Sequence, residues 1–198
     1  MDFINPNLVV DKGFEPPPKS ISKPKIIRQA PKVENDLWRY ISAGNSLKAR
    51  SQRDLFWHID WFKKHPDYLT RVTKRASPYL HLVVREVEKA GLPLELALLP
   101  IVESAYYPFS FSHGTASGLW QFIPATGKLY GLKQNYWVDE RRSVIRSTRA
   151  AVAYLKNLHT LFKGDWLLAI ASYNSGPGRV QRAINKNKAL GSISAALT

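Results

Sequence analysis

Apolar residues in this chain recur at three- and four-residue steps, and nowhere do they alternate with polar ones over a sustained run. That spacing stacks them on one face of an α-helix and leaves no stretch able to make a half-buried strand. The sequence therefore predicts an all-α fold. A short hairpin within 108–118 or 131–140 is the one β element expected. With 198 residues, 44% of them hydrophobic, the chain has room for one main domain around a real core.

Proline and glycine divide the pattern. Residues 1–35 read as a proline-rich linker, with Pro16, Pro17 and Pro18 followed by Pro24 and Pro31. From Asp36 to residue 90, two or three amphipathic helices are expected. Leu55, Ile59 and Phe62 mark one, beside Trp57 and Trp61, and Pro66 stops it. Tyr79, Val83 and Val87 mark another, closed by Gly91. Residues 91–198 form the remaining region. Pro93 suits the first turn of a helix over about 93–104, which Pro100 is expected to bend. A loop of small residues follows. Leu119 to Tyr130 is expected to be helical again, kinked or split at Pro124. Ser147 or Thr148 can cap the next helix, whose apolar stripe is Ala151, Tyr154, Leu155, Leu158 and Leu161. Asp165 caps a short buried helix over Trp166 to Tyr173. Gly176, Pro177 and Gly178 then break the chain before a last helix carrying Val180, Ala183 and Ile184.

Charge narrows the partners. The formal net charge of +14 favours something anionic, and nucleic acid, anionic lipid and acidic cell-wall polymer all qualify. Lys and Arg are spread over many segments with no recognised nucleic-acid module, so nucleic acid is not the expected partner. The absence of cysteine removes disulfide, zinc-thiolate and thiol-nucleophile chemistry, and no metal or cofactor is called for. The first residues lack a basic flank followed by an apolar core, so they do not read as a secretory signal. No apolar run approaches the roughly 20 residues of a transmembrane helix.

Glu103 stands out against this background. It ends the apolar stretch Leu96-Ala97-Leu98-Leu99-Pro100-Ile101-Val102 and is followed by Ser104. Burial there would hold its proton on near neutral pH, which a general acid requires. The bland alternative is a solvated or ion-paired helix end, and for an isolated Glu it is the better one. Nor does a second acid stand nearby. Glu95 lies eight positions upstream on the expected helix, roughly 12 Å along its axis. Two-carboxylate glycosidases need about 5 to 9.5 Å. Asp139 and Glu140 adjoin Arg141 and Arg142 and read as a local ion-pair cluster, and Asp165 as a cap.

Two further segments carry ligand-type chemistry. Gly118-Leu119-Trp120-Gln121-Phe122 offers an approachable backbone and a side-chain amide; Tyr173-Asn174-Ser175-Gly176 offers a phenol and an amide at a helix end. Each alone is equally a loop junction or a helix cap. Their order after Glu103-Ser104 is what is specific. Together they resemble the lytic transglycosylases of glycoside hydrolase family 23, which carry a Glu-Ser motif, a Gly-Leu-(Met/Trp)-Gln-(Phe/Ile) motif and a Tyr-Asn-x-Gly motif. The resemblance is close over about 91–187.

The resemblance implies a helical, goose-lysozyme-like catalytic domain that acts on peptidoglycan glycan strands in the cell envelope. It implies cleavage of the β-1,4 bond between N-acetylmuramic acid and N-acetylglucosamine without water, giving a 1,6-anhydro end. One acid then suffices, and Glu103 would be that catalytic residue. Ser104, Gly118, Gln121, Tyr173 and Asn174 would meet the substrate or orient the acid, and Tyr173 would also hydrogen-bond Glu103. The family has a further tyrosine in a Tyr-Val-Pro context beyond the third motif. This sequence lacks it, so a C-terminal truncation is expected. The alternatives are a goose-type lysozyme-like hydrolase and a peptidoglycan-binding protein without activity.

Overall fold

The computed structural model describes residues 36–47, 53–112 and 114–196, with side chains described for 36–47, 56–112 and 114–187. The linker expected over residues 1–35 and the side chain of Leu55 lie outside that set. Nine α-helices are described. They are α1 (Leu37–Ala43), α2 (Arg53–Lys64), α3 (Pro66–Ala76), α4 (Leu80–Lys89), α5 (Leu99–Ser104), α6 (Pro124–Leu129), α7 (Val144–Leu161), α8 (Trp166–Ser175) and α9 (Pro177–Ala196). Two 3₁₀ turns, Leu94–Leu98 and Glu140–Arg142, precede α5 and α7. Among the described residues, β structure is confined to isolated bridges: Phe111 with Ser117, Ser117 with Phe122, and Gln134 with Asp139. These fall in or beside the two segments expected to form a hairpin.

Helix α7 is the centre of the packing. It lies against α4, α8 and the Glu140–Arg142 turn, and α8 in turn packs on α9. Ala151, Leu155 and Leu158 of α7 are buried with Val83, Val84 and Val87 of α4, Leu96, Ala97, Leu119, Trp120 and Ala169. Each such Leu or Val contributes about 1.5–3 kcal/mol by leaving water. Leu161 departs from its expected stripe and is about half exposed at the end of α7. No described helix is long and apolar enough to cross a membrane.

Several boundaries differ from the sequence reading, each for a local reason. The described residues of 36–90 hold four helices. Pro66 both stops α2 and opens α3, since a residue without an N–H is harmless in a helix's first turn. The same rule governs Pro100. The expected continuous helix divides at Leu98, and Pro100 sits in the first turn of α5, where it bends nothing. Leu119–Phe122 is not helical, because Gly118 and Gln121 have φ of 85° and 49°. The cap of α7 is Ser143, whose hydroxyl accepts from the Arg146 N–H. Ser147 and Thr148 are buried inside that helix. Asp165 does cap α8, accepting from the Leu168 N–H at 3.0 Å.

Candidate functional site

Glu103 occupies the last turn of α5, which ends abruptly after Ser104. Ala105 and Tyr106 adopt φ of 49° and 58°, the left-handed region that side chains with a Cβ avoid. Such residues cost of the order of 1–3 kcal/mol each and persist only where the surroundings fix them. Here the Ala105 N–H donates to the Ile101 carbonyl and the Tyr106 N–H to the Pro100 carbonyl. The buried Tyr106 hydroxyl donates to the Ala97 carbonyl at 2.8 Å. The chain then turns outward, exposing Tyr107, Phe109 and Phe111.

The Glu103 carboxyl has a pKa pushed up to about 7 by burial. Among the described residues no ion pair or hydrogen bond reaches it. The other carboxylates with described side chains are differently placed. Asp139 pairs with Arg141 at 2.8 Å, Glu140 with Arg146, Glu86 with Arg149, and Asp60 with Lys64. Glu95 accepts the Ser46 and Leu47 N–H groups, Glu88 accepts the Tyr40 hydroxyl, and Asp36 and Asp165 cap helices. Asp67 is exposed in the first turn of α3. Glu103 is thus the one described carboxylate that is half-buried and has no described partner on either oxygen.

The second motif forms a tight loop whose polar groups turn inward. Gln121 is buried, and its side-chain Nε2 donates to the Gly118 carbonyl at 2.7 Å and the Ser110 carbonyl at 3.3 Å. Its Oε1 is buried with no protein partner. Gly118 is required by the protein itself: a Cβ there would lie 1.8 Å from the Arg141 carbonyl oxygen. The sequence reading had this glycine opening the backbone to a ligand; it opens it to residue 141.

Ser104 was expected to orient the acid or touch substrate. Its hydroxyl donates to the Leu119 carbonyl at 2.8 Å, with the Pro100 carbonyl at 3.2 Å, and accepts the Tyr107 N–H at 3.2 Å. It staples the end of α5 to the loop. Tyr173, on α8, donates its hydroxyl to the Trp120 carbonyl at 2.7 Å. That donation uses its only O–H, so a hydrogen bond given to Glu103, as expected from the resemblance, is not made. Burial pushes the Tyr173 hydroxyl well above its ordinary pKa, and the charges of Glu103 and Tyr154 push it further. The phenol and the acid are therefore electrostatic neighbours. Asn174, the next residue, is exposed. Three segments separated in sequence thus meet: α5 and α8 both bond to the backbone of residues 119–120.

Arg141 completes the frame, and sequence reasoning missed its reach. Its side chain is buried. Nη1 donates to the Thr115 carbonyl at 2.7 Å and the Phe122 carbonyl at 3.0 Å, while Nε and Nη2 hold Asp139. The expected ion-pair cluster exists, but it also clamps the loop bearing Gln121.

A model of the transglycosylase SLT domain matches residues 84–195, more than half of the chain. The chain belongs to the transglycosylase SLT domain family. Over 166 residues it is 45% identical to membrane-bound lytic murein transglycosylase D of Escherichia coli (strain K12), covering 80% of this chain and 35% of that protein. Over 131 residues it is 50% identical to a protein of Alteromonas sp. (strain M-1) named for tributyltin chloride resistance, covering 63% of each. The chain therefore spans about a third of the length of the first relative and under two thirds of the second. An X-ray structure of an inactive mutant of lytic transglycosylase Slt from Pseudomonas aeruginosa is 30% identical, with a TM-score of 0.44, over 50% of this chain and 17% of that one. The SLT match takes in α5, the 115–122 loop and α8, so Glu103, Gln121 and Tyr173 all fall within the family's own segment.

Proposed function

We propose that this chain is the lysozyme-like catalytic domain of a peptidoglycan lytic transglycosylase of the bacterial cell envelope, with Glu103 as its acid and base. The observation that carries the reading is one half-buried, unpartnered carboxyl with a pKa pushed up to about 7, within an SLT segment whose other described carboxylates are paired, capping or bonded. A carboxyl with that pKa is protonated often enough at neutral pH to give a proton and is basic enough to take one back.

In the reaction, the Glu103 proton passes to the glycosidic oxygen as the C1–O bond to N-acetylglucosamine breaks. The muramoyl 6-hydroxyl oxygen then bonds to C1, and its proton passes to Glu103. No water enters, the ring closes as a 1,6-anhydro sugar, and the acid is regenerated. The substrate's N-acetyl group can stabilise the cationic centre, the arrangement found in substrate-assisted exceptions to two-carboxylate catalysis. The preset Gln121 amide and Tyr173 position sugar or acid from the loop side, and the exposed Asn174 is the third candidate contact. Ser104 and Gly118 act through the backbone they hold. A net charge of +14 suits a polymer bearing peptide carboxylates.

Digestion of purified sacculi, followed by mass analysis of the soluble muropeptides, tests the reading. Ends lighter by one water than reducing ends are expected. Reducing ends would make the protein a hydrolase of the goose-lysozyme type, and intact sacculi would leave it a binding protein.

A further inference from the structure

The loop between α6 and the Glu140–Arg142 turn holds two aromatic rings almost wholly in water. Tyr136 is 91% and Trp137 85% exposed, more than any other large apolar side chain described. Rings that large normally bury themselves, and an exposed pair at a loop tip marks a contact surface.

The tip is built to hold them out. Asn135 Oδ1 accepts the N–H groups of Trp137 and Val138 at 2.9 and 2.8 Å, and the Asn135 N–H donates to the Val138 carbonyl at 2.8 Å. Lys133 and Glu140 close the base: the Glu140 N–H donates to the Lys133 carbonyl, and Glu140 Oε2 accepts the Lys133 N–H. The two rings stand 4.9 Å apart at 88°, so one presents a face while the other forms a wall beside it.

The same loop is continuous with the catalytic frame. Gln134 donates to the Pro124 carbonyl at 3.0 Å, and Asp139, the bridge partner of Gln134, holds the Arg141 that clamps residues 115–122. A corner fixed to the loop that carries Gln121 keeps a constant relation to anything seated there.

We propose that Tyr136 and Trp137 form a saccharide-stacking platform that takes one pyranose ring of a glycan strand away from the bond being cut. The C–H face of a pyranose is apolar and matches an aromatic face in size, while its rim of hydroxyls stays in water. The perpendicular neighbour limits the ring to one side. Rigid aromatics with few rotatable bonds lose little entropy on binding. The proposal rests on the reading of the chain as a glycan-acting domain, and it adds a contact outside the three motifs.

The test uses Glu103→Gln protein, which cannot degrade what it binds, with and without the double substitution Tyr136→Ser, Trp137→Ser. Both changes are at exposed positions, and an unchanged urea midpoint verifies the fold. Binding to purified sacculi is measured by co-sedimentation, with phosphatidylglycerol vesicles in parallel. The expected result is a Kd for sacculi raised about tenfold by the double substitution, with any charge-driven vesicle binding the same for both proteins. Equal sacculus binding by both proteins overturns the platform and leaves the functional reading standing. A parent that does not bind sacculi overturns both. Vesicle binding lost on substitution, with sacculus binding kept, reassigns the rings to a lipid surface.

Discussion

Glu103 and Asp139 are carboxylates in one frame with opposite fates. At the exit of α5, burial acts on Glu103 unopposed and lifts its pKa to about 7. Burial also pushes Asp139 up, but the hydrogen bonds and charge of Arg141, helped by Arg142, outweigh it and hold Asp139 below its ordinary value. The first keeps a proton ready to move; the second stays charged and anchors a guanidinium. Neighbours, not residue type, divide the proposed acid from a structural one.

The sharpest way to break the contrast is Glu103→Gln. Loss of the acid should lower release of soluble muropeptides about a thousandfold while the circular dichroism spectrum is kept. Activity that survives would transfer the acid's role to another residue. On the other side, Arg141→Met strips Asp139 of its partner and orphans the Thr115 and Phe122 carbonyls. Breaking this partly exposed pair and leaving two carbonyls unpaired should cost about 3 kcal/mol in urea unfolding. A cost below about 1 kcal/mol would mean that the pair does not hold the loop. Gly118→Ala attacks the same clamp through the backbone. A methyl group 1.8 Å from the Arg141 carbonyl, at a φ of 85°, should cost about 3 kcal/mol by overpacking and strain.

The pH dependence of stability separates the two acids by sign. Glu103's folded pKa of about 7 lies above its ordinary 4.5, so the folded state favours the protonated form. Stability from this group is fully present below about pH 4.5 and is lost as pH rises through 7. For a partly solvated site the loss is about 2 kcal/mol. Glutamine cannot ionise, so Glu103→Gln should unfold at higher urea than wild type at pH 8 and at similar urea at pH 4. Asp139 runs the other way. Its depressed pKa gives stability above the ordinary carboxylate range that disappears on acidification. Parallel urea series of wild type, Glu103→Gln and Arg141→Met across pH would read the two slopes directly.

How much of this was legible follows from distance along the chain. Periodicity and proline placement depend on neighbours within one turn, so the helical class, the capping role of Asp165 and the isolation of Glu103 could be read from residues alone. Pro66 was legible as a stop but not as the start of α3, and Pro100 as a bend but not as the first turn of α5, because a proline ends one helix and opens the next with the same chemistry. Positive φ at Ala105, Tyr106 and Gln121 left no compositional trace, since none is glycine. Arg141 was visible as a charge beside Asp139, but its bonds to Thr115 and Phe122 span 26 and 19 residues and no spacing rule reaches them. The same limit hid the destination of the Ser104 hydroxyl, 15 residues away at Leu119.

Ser104 joins the two sides, and it supports the smallest prediction. Its hydroxyl gives one good hydrogen bond to the Leu119 carbonyl and takes another from the Tyr107 N–H. Ser104→Ala removes both and leaves buried groups unpaired, at a cost of about 1 kcal/mol in urea unfolding. If the staple is its function, the acid keeps its burial while the loop loosens. Turnover of sacculi should then fall less than about tenfold, with the loss mainly in KM. A collapse in kcat without loss of stability would mean that the hydroxyl turns from Leu119 to meet the sugar. The division between a bare acid and a fully bonded frame would then no longer hold at the residue next to Glu103.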